Sequence, residues 1–348
     1  MEDTLAIRPI AELSNGNIAA DDRAHRLAVG GRGEPSFAAA EIIARDRNGI
    51  RRQRLSAREL RADPDPRLAK LLAQLERPRA AIAGLSFDAP RIMGIVNVTP
   101  DSFADGGRYF DTAAAVEQAL RLEAEGADIL DIGGESTRPG AAGIDVEEEC
   151  RRVLPVIDAL RAQARVALSI DTRHSEVMRR ATAAGVRLIN DVSALRHDPS
   201  SLATVAQTGA PVVLMHAQGD PATMQDAPCY ADVVLDVYDF FRERIAASEA
   251  AGIPRSRLIL DPGIGFGKTL AHNLALLASL SLFHALGCVV MLGASRKSFI
   301  GHLTGTPAPD RLPGSLAAAL LGAAQGVQIL RVHDVAATRQ ALAVWQGG

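Results

Sequence analysis

Residues 111–134 read DTAAAVEQALRLEAEGADILDIGG, and their reading decides the fold. Asp111 or Thr112 can cap the first amides of a helix, Val116, Ala119, Leu120 and Glu123 recur at helical spacing, and Gly126 stands where a left-handed residue ends it. An apolar run, ADILDIGG, follows at once, too short for a second helix. Such a run, apolar on both faces and entered directly from a helix, reads as a buried strand.

The unit recurs from residue 92 onward. The strand-like runs are IMGIVN (92–97), ADILDIGG (127–134), VALSID (166–171), RLINDV (187–192), PVVLMH (211–216), RLILD (257–261), CVVMLGAS (288–295) and VQILRVH (327–333). With polar or small ends at Asn97, Gly133, Asp171, Asp191, His216, Asp261, Ser295 and Val332, they are spaced 20 to 45 residues apart, room for a helix and two loops each time. Eight such units joined by right-handed crossovers predict an α/β fold, a (β/α)8 TIM barrel spanning residues 89–348. An open doubly wound sheet is the alternative.

Residues 1–88 differ, being charge-rich and broken by the turn signals NGN, GGRGEP and DPDP. Within them DPRLAKLLAQLE predicts a helix with Asp65 as N-cap, Pro66 at the first position and Leu68, Leu71, Leu72 and Leu75 on one face. The expectation is a partly helical N-terminal extension without chemistry of its own.

Composition narrows the function. Of 348 residues, 47% are hydrophobic and 23% charged, which is ordinary globular usage, and a formal net charge of −3 gives no basic face for nucleic acid. Cys150, Cys229 and Cys288 are odd in number and widely spaced, which fits neither a disulfide framework nor a zinc site and suits a reducing cytoplasm. The start, MEDTLAIRPI, is acidic where a signal peptide would be basic, and no apolar run reaches membrane-spanning length, so no membrane association is expected.

Active sites of such barrels lie at the carboxyl ends of the strands. Asn97, Asp131, Asp171, Asn190, Asp191, His216 and Asp261 collect there, Ser295, Arg296 and Lys297 follow the seventh run, and Arg331 and His333 flank the eighth. A single strand-end Asp is more often a cap than a ligand contact. Several on one ring, however, require something to take their charge: Lys297, a guanidine-like ring edge or a metal. A ligand with a hydrogen-bonding heterocycle at one end and a phosphate at the other suits this split of carboxylates and cations. GIGFGKT (263–269) is not a nucleotide P-loop, because Pro262 stands where the first glycine is required. His216 has no Cys, His or acid at zinc-ligand spacing and reads as a strand-end hydrogen-bonder.

The runs IMGIVNVTPDSFADGG, LDIGGESTRPGA, SIDTRHSEV, LINDVSAL, VVLMHAQGDPATMQ, LDPGIGFGKT, GASRKSFIG and RVHDV, in this order, closely resemble the dihydropteroate synthase family of folate biosynthesis. The resemblance spans residues 92 to about 335 and leaves the N-terminal extension outside. It implies a (β/α)8 barrel that condenses 6-hydroxymethyl-7,8-dihydropterin diphosphate with 4-aminobenzoate, giving 7,8-dihydropteroate and pyrophosphate, with Mg2+, as a cytoplasmic homodimer and a sulfonamide target. By the family's scheme, Asp171, Asn190, Asp261 and Lys297 bind the pterin, and Asn97 helps hold magnesium and diphosphate. Arg331 and His333 grip the diphosphate; Thr137, Arg138 and Ser295 form the aminobenzoate site, lined by Phe103, Pro139 and Phe266. Asp171, Lys297 and Arg138 are the residues expected to carry catalysis. Ala104 and Ala217 depart from the motifs without touching an expected ligand. A pterin-binding methyltransferase would not need STRPG or SRKSFIG; a catalytically silent paralogue working through a partner would not have kept Asn97, Arg138 and Lys297. A phosphate-binding barrel isomerase suits the several acids poorly.

Overall fold

A computed structural model of the chain describes residues 3–10, 26–98, 112–136, 143–219, 224 and 226–347. Its centre is a closed barrel of eight parallel strands: β6 (Arg91–Asn97), β7 (Ile129–Gly133), β8 (Ala167–Asp171), β9 (Leu188–Asp191), β10 (Val212–Met215), β11 (Leu258–Asp261), β12 (Val289–Leu292) and β13 (Ile329–Val332). β13 pairs with β6, Leu330 opposite Ile92, and so closes the ring. The open-sheet alternative is thereby excluded. Two runs extend past their strands: β10 ends one residue before His216, and β12 ends at Leu292, three before Ser295.

Strand alternation builds two cores. Met93, Ile129, Ala167, Leu188, Val213, Ile259, Val289, Met291 and Ile329 fill the barrel interior, where Ile82 and Phe87 from the preceding loop plug the floor. Their neighbours Ile92, Leu130, Leu168, Ile189, Val212, Leu260, Val290 and Leu330 face outward into a larger core with the helices. The helix of the opening stretch, Thr112–Ala124, buries Ala115, Val116, Ala119 and Leu122, and Gly126 takes φ +102° just beyond it. Gly126 thus supplies the left-handed stop that returns the chain to β7.

Among its described residues the N-terminal extension holds more strand than helix, and the sequence reading finds only the second of its two helices. β1 (Thr4–Pro9), β4 (Ala39–Asp46) and β5 (Gly49–Ser56) form an antiparallel sheet in the order β1-β4-β5, and β2 (Leu27–Val29) pairs with β3 (Arg32–Phe37). Helix Pro66–Glu76, capped by the Asp65 side chain at the Arg67 amide, covers one face with Leu68, Leu72 and Leu75. Ile7 and Ile42 pack into that small core, whereas Ala6 and Ile43 on the opposite face join the barrel's helical core. With both faces covered, β1 and β4 lose the apolar–polar alternation that announces a strand, while β5, GIRRQRLS, is largely exposed and polar enough to read as a loop. The hairpin between β4 and β5 turns through Arg47 and Asn48, and Gly49, paired with Asp46, takes φ +120°.

Candidate functional site at the carboxyl end of the barrel

Period-two alternation aims the polar residues inward. Ile129, Leu188, Ile259 and Ile329 lie in the interior core, so Asp131, Asn190, Asp261 and Arg331, two residues further along, face the same space. Asp171 follows Ala167 in the same way, two repeats on. The lower half of the barrel is therefore apolar and the upper half charged.

Arg331 organises that upper half. Its Nε donates to Asp131 Oδ2 and its Nη2 to Asp171 Oδ2, each at 2.7 Å. Asn190 Nδ2 donates to the same oxygen of Asp131 at 2.9 Å. The guanidinium is thus what takes the acids' charge, and the two carboxylates hold it firmly protonated against its burial. Asp131 Oδ1 and Asp171 Oδ1 are buried and accept no hydrogen bond from the described residues. Buried acceptors of this kind are what a ligand carrying several N–H groups would satisfy. Burial pushes the Asp171 carboxyl up to about 7, helped by Asp131 and opposed by Arg331.

Asp261 joins the ring from β11, two strands on from Asn190 and two before Arg331. Its Oδ1 accepts from the Gly263 amide at 2.8 Å. A Cβ at Gly293 would stand 3.5 Å from Asp261 Oδ2 and 3.9 Å from Lys297 Nζ, so the glycine at the end of β12 leaves the carboxylate and ammonium a common space. Lys297 precedes the helix Ser298–Thr304; its Nζ donates to the Ile264 carbonyl and lies 4.6 Å over the Phe266 ring. Burial lowers its pKa to about 8, and Asp261 resists that fall. The adjacent Arg296 goes elsewhere: at φ +58° it turns away to pair with Asp334. Ser295 Oγ accepts from the His333 amide at 3.2 Å and lies 3.1 Å from His333 Nδ1, which ties the loops after β12 and β13 together. Asn97 ends β6 opposite Gly133, whose missing Cβ would stand 3.4 Å from the Asp171 side chain.

Other residues take different roles. Asp191 points away from the barrel lumen and spends its carboxylate on the Ser193 and Leu195 amides, a turn rather than a site. His216 is buried, and its Nδ1 lies 2.9 Å from Lys268 Nζ; burial and then Lys268 push the imidazole down to about 2, so it is neutral. Lys268 also donates to the carbonyls of Gly263 and Phe266, at 2.9 Å each. The lysine of the false P-loop is therefore an internal clasp that shapes the loop after β11, a role that the sequence reading does not assign it. Gly263, at φ +66°, lies where a Cβ would meet the His216 carbonyl oxygen at 1.9 Å. Beside the ring opens a cavity of about 260 Å³, lined among others by Arg173, Met215 and Phe266. Phe103, Thr137, Arg138 and Pro139 lie outside the described residues.

Among the described residues no three His, Cys, Asp or Glu side chains are grouped to hold a metal.

A family model described as pterin binding enzyme matches residues 93–333. The chain is 49% identical over 260 residues to dihydropteroate synthase of Escherichia coli K12, covering 75% of this chain and 92% of that protein. It is similar to Xanthomonas albilineans dihydropteroate synthase solved with 4-aminobenzoic acid, at 56% identity and TM-score 0.73, over 78% of this chain and 97% of that one. The same enzyme in complex with 7,8-dihydropteroate superposes at TM-score 0.71 with 53% identity, over 78% and 98% of the two chains. With a buried acid ring bridged by Arg331 and a lysine set over Phe266, on a barrel matched along almost its whole length, the chain belongs to the pterin-binding enzymes, in the dihydropteroate synthase family.

Proposed function

We propose that the chain condenses 6-hydroxymethyl-7,8-dihydropterin diphosphate with 4-aminobenzoate, forming 7,8-dihydropteroate and releasing pyrophosphate. The observation that carries this reading is the ring of Asp131, Asp171, Asn190 and Asp261, with acceptors left for a ligand's N–H groups and Lys297 beside them. It is supported by relatives whose structures hold 4-aminobenzoic acid and 7,8-dihydropteroate.

In this reading Asp171, Asn190, Asp261 and Lys297 bind the pterin. The bond from its exocyclic carbon to the diphosphate oxygen breaks, positive charge spreads into the electron-rich ring, and the Asp171 and Asp131 carboxylates stabilise that charge. Arg331, with the part of its fork not committed to the acids, and His333 hold the departing diphosphate. The aminobenzoate amine, neutral at pH 7, then forms the new C–N bond and loses one proton, so positioning contributes more than a strong base. Ser295, Thr137, Arg138, Phe103, Pro139 and Phe266 form its site. Magnesium, held with the diphosphate by Asn97, would neutralise leaving-group charge. We also infer a cytoplasmic homodimer; its three cysteines are free thiols.

The test is pyrophosphate release by the purified full-length chain, with the product identified by mass. Turnover should require both organic substrates and magnesium, and sulfonamides should compete with aminobenzoate. Release of pyrophosphate that ignores aminobenzoate would overturn the assignment.

A further inference from the structure

The N-terminal sheet lies outside the family match, yet it grips the barrel at a point that leads to the site. Arg45 on β4 is largely buried, and its two terminal nitrogens reach Asp236 Oδ1 and Asp239 Oδ2 at 2.5 Å each. Thr4 on β1 donates to the same Asp239 oxygen at 2.6 Å, and Arg52 on β5 reaches Asp232 at 3.1 Å. Asp232 caps the helix Val233–Ala250, which follows the long loop after β10, and Asp236 and Asp239 lie in its first two turns.

That helix start holds the end of the loop. Asp232 caps the helix at the Val234 and Leu235 amides. Asp236 faces two ways: Oδ1 takes Arg45, while Oδ2 accepts the Ala231 amide at 2.9 Å and the Asp232 amide at 3.3 Å. The adjoining Tyr230 donates its hydroxyl to the Gly267 carbonyl at 2.7 Å. Gly267, at φ +62°, packs so closely on the Gln218 carbonyl that a Cβ there would stand 2.4 Å from it. One residue before Gly267 is Phe266, the ring beneath Lys297.

We infer that the N-terminal sheet positions the substrate-contacting loop after β11, with Arg45 and Tyr230 as the positioning residues that carry the effect through the start of the helix Val233–Ala250. The inference rests on the reading of Phe266 and Lys297 as substrate contacts. Spatial continuity does not establish coupling by itself; the discriminating property is non-additivity between the two ends of the chain of contacts.

The test uses the full-length protein with Tyr230→Phe, Arg45→Met, Arg45→Lys and the double variant Arg45→Met/Tyr230→Phe. Two readouts are taken: amide hydrogen exchange of a peptide covering 262–269, and steady-state KM and kcat. Each single removal should speed exchange of that peptide and raise KM for aminobenzoate on the order of fivefold, the size of one hydrogen bond, with kcat within about twofold. Arg45→Lys should recover most of the loss. The double variant should be no worse than the poorer single one. Lowered melting temperature with unchanged exchange at 262–269 would overturn the inference, as would effects of the two substitutions that multiply. Failure of the parent protein to turn over aminobenzoate would count against the substrate reading alone, because the exchange measurement still decides whether the sheet holds the loop.

Discussion

Substituting Arg331 by Leu tests the centre of the site through stability alone. The change leaves Asp131, fully buried, and Asp171, nearly so, without the cation that joins them. Removing one partner of a buried ion pair costs about 3–5 kcal/mol. A second route gives the same size. If one carboxyl now stays protonated at pH 7, about three units above its usual value near 3.9, the cost is roughly 4 kcal/mol. Burial already raises Asp171 to about 7 in the intact protein, with Arg331 opposing the rise. A carboxyl whose folded pKa is raised contributes stability below its unfolded pKa and loses it as pH rises, at about 1.4 kcal/mol per unit. Urea unfolding followed by circular dichroism should therefore show a deficit of about 4 kcal/mol at pH 7 that shrinks to roughly 1 kcal/mol at pH 5. Adding Asp131→Asn should restore part of it at pH 7 by removing the stranded charge. A deficit under about 1 kcal/mol at pH 7, or one that does not change with pH, would refute the bridging role.

The remaining predictions concern chemistry and loop shape. Lys297→Ala should lower kcat/KM by about a hundredfold or more while leaving the circular dichroism spectrum unchanged, since in the proposed reading it deletes a buried cation beside the pterin; near-parental kinetics would take Lys297 out of the site. The kcat/KM profile should rise as pH climbs through about 7, where Asp171 ionises, and fall above about 8, where Lys297 loses its proton. Lys297→Arg should push the alkaline limb upward, and an unmoved limb would assign it to another group. Gly263→Ala combines a positive φ with a Cβ in the space of the His216 carbonyl, so it should cost about 3 kcal/mol or more and lower the melting temperature, whereas Gly252→Ala, at φ +89° with open space around it, should cost only about 1–2 kcal/mol.

The sequence and the structure agree where the physical signal is local. Alternating helix punctuation and short apolar runs are legible because each strand is covered on both sides and each helix on one. Strand-end acids are legible because a barrel gives all carboxyl ends the same address. The reading was weakest where a residue's partner is distant in sequence. Arg331 meets Asp131 across 200 residues and Asp171 across 160, and nothing in RVHDV announces either partner. Lys268 carries no signal of its own in the sequence, because its role lies in the carbonyls of a loop that only folding brings around it. Asp191 and Asn190, adjacent in the chain, were grouped together, yet alternation sends one into the lumen and the other into a turn.

The sequence by itself determined the eightfold βα repeat, the membership of the barrel, and the ring of polar positions at its carboxyl end. These follow from hydrophobic periodicity and the two-residue repeat of a strand, which act within a few residues. Only the tertiary structure decided that Arg331 neutralises two acids at once, that of the adjacent Arg296 and Lys297 only the lysine reaches toward the acids of the barrel, and that a sheet invisible to periodicity is clamped to the helix Val233–Ala250 by Arg45. Those outcomes depend on which charges share a buried space once the ring closes, and a linear pattern holds no record of that distance.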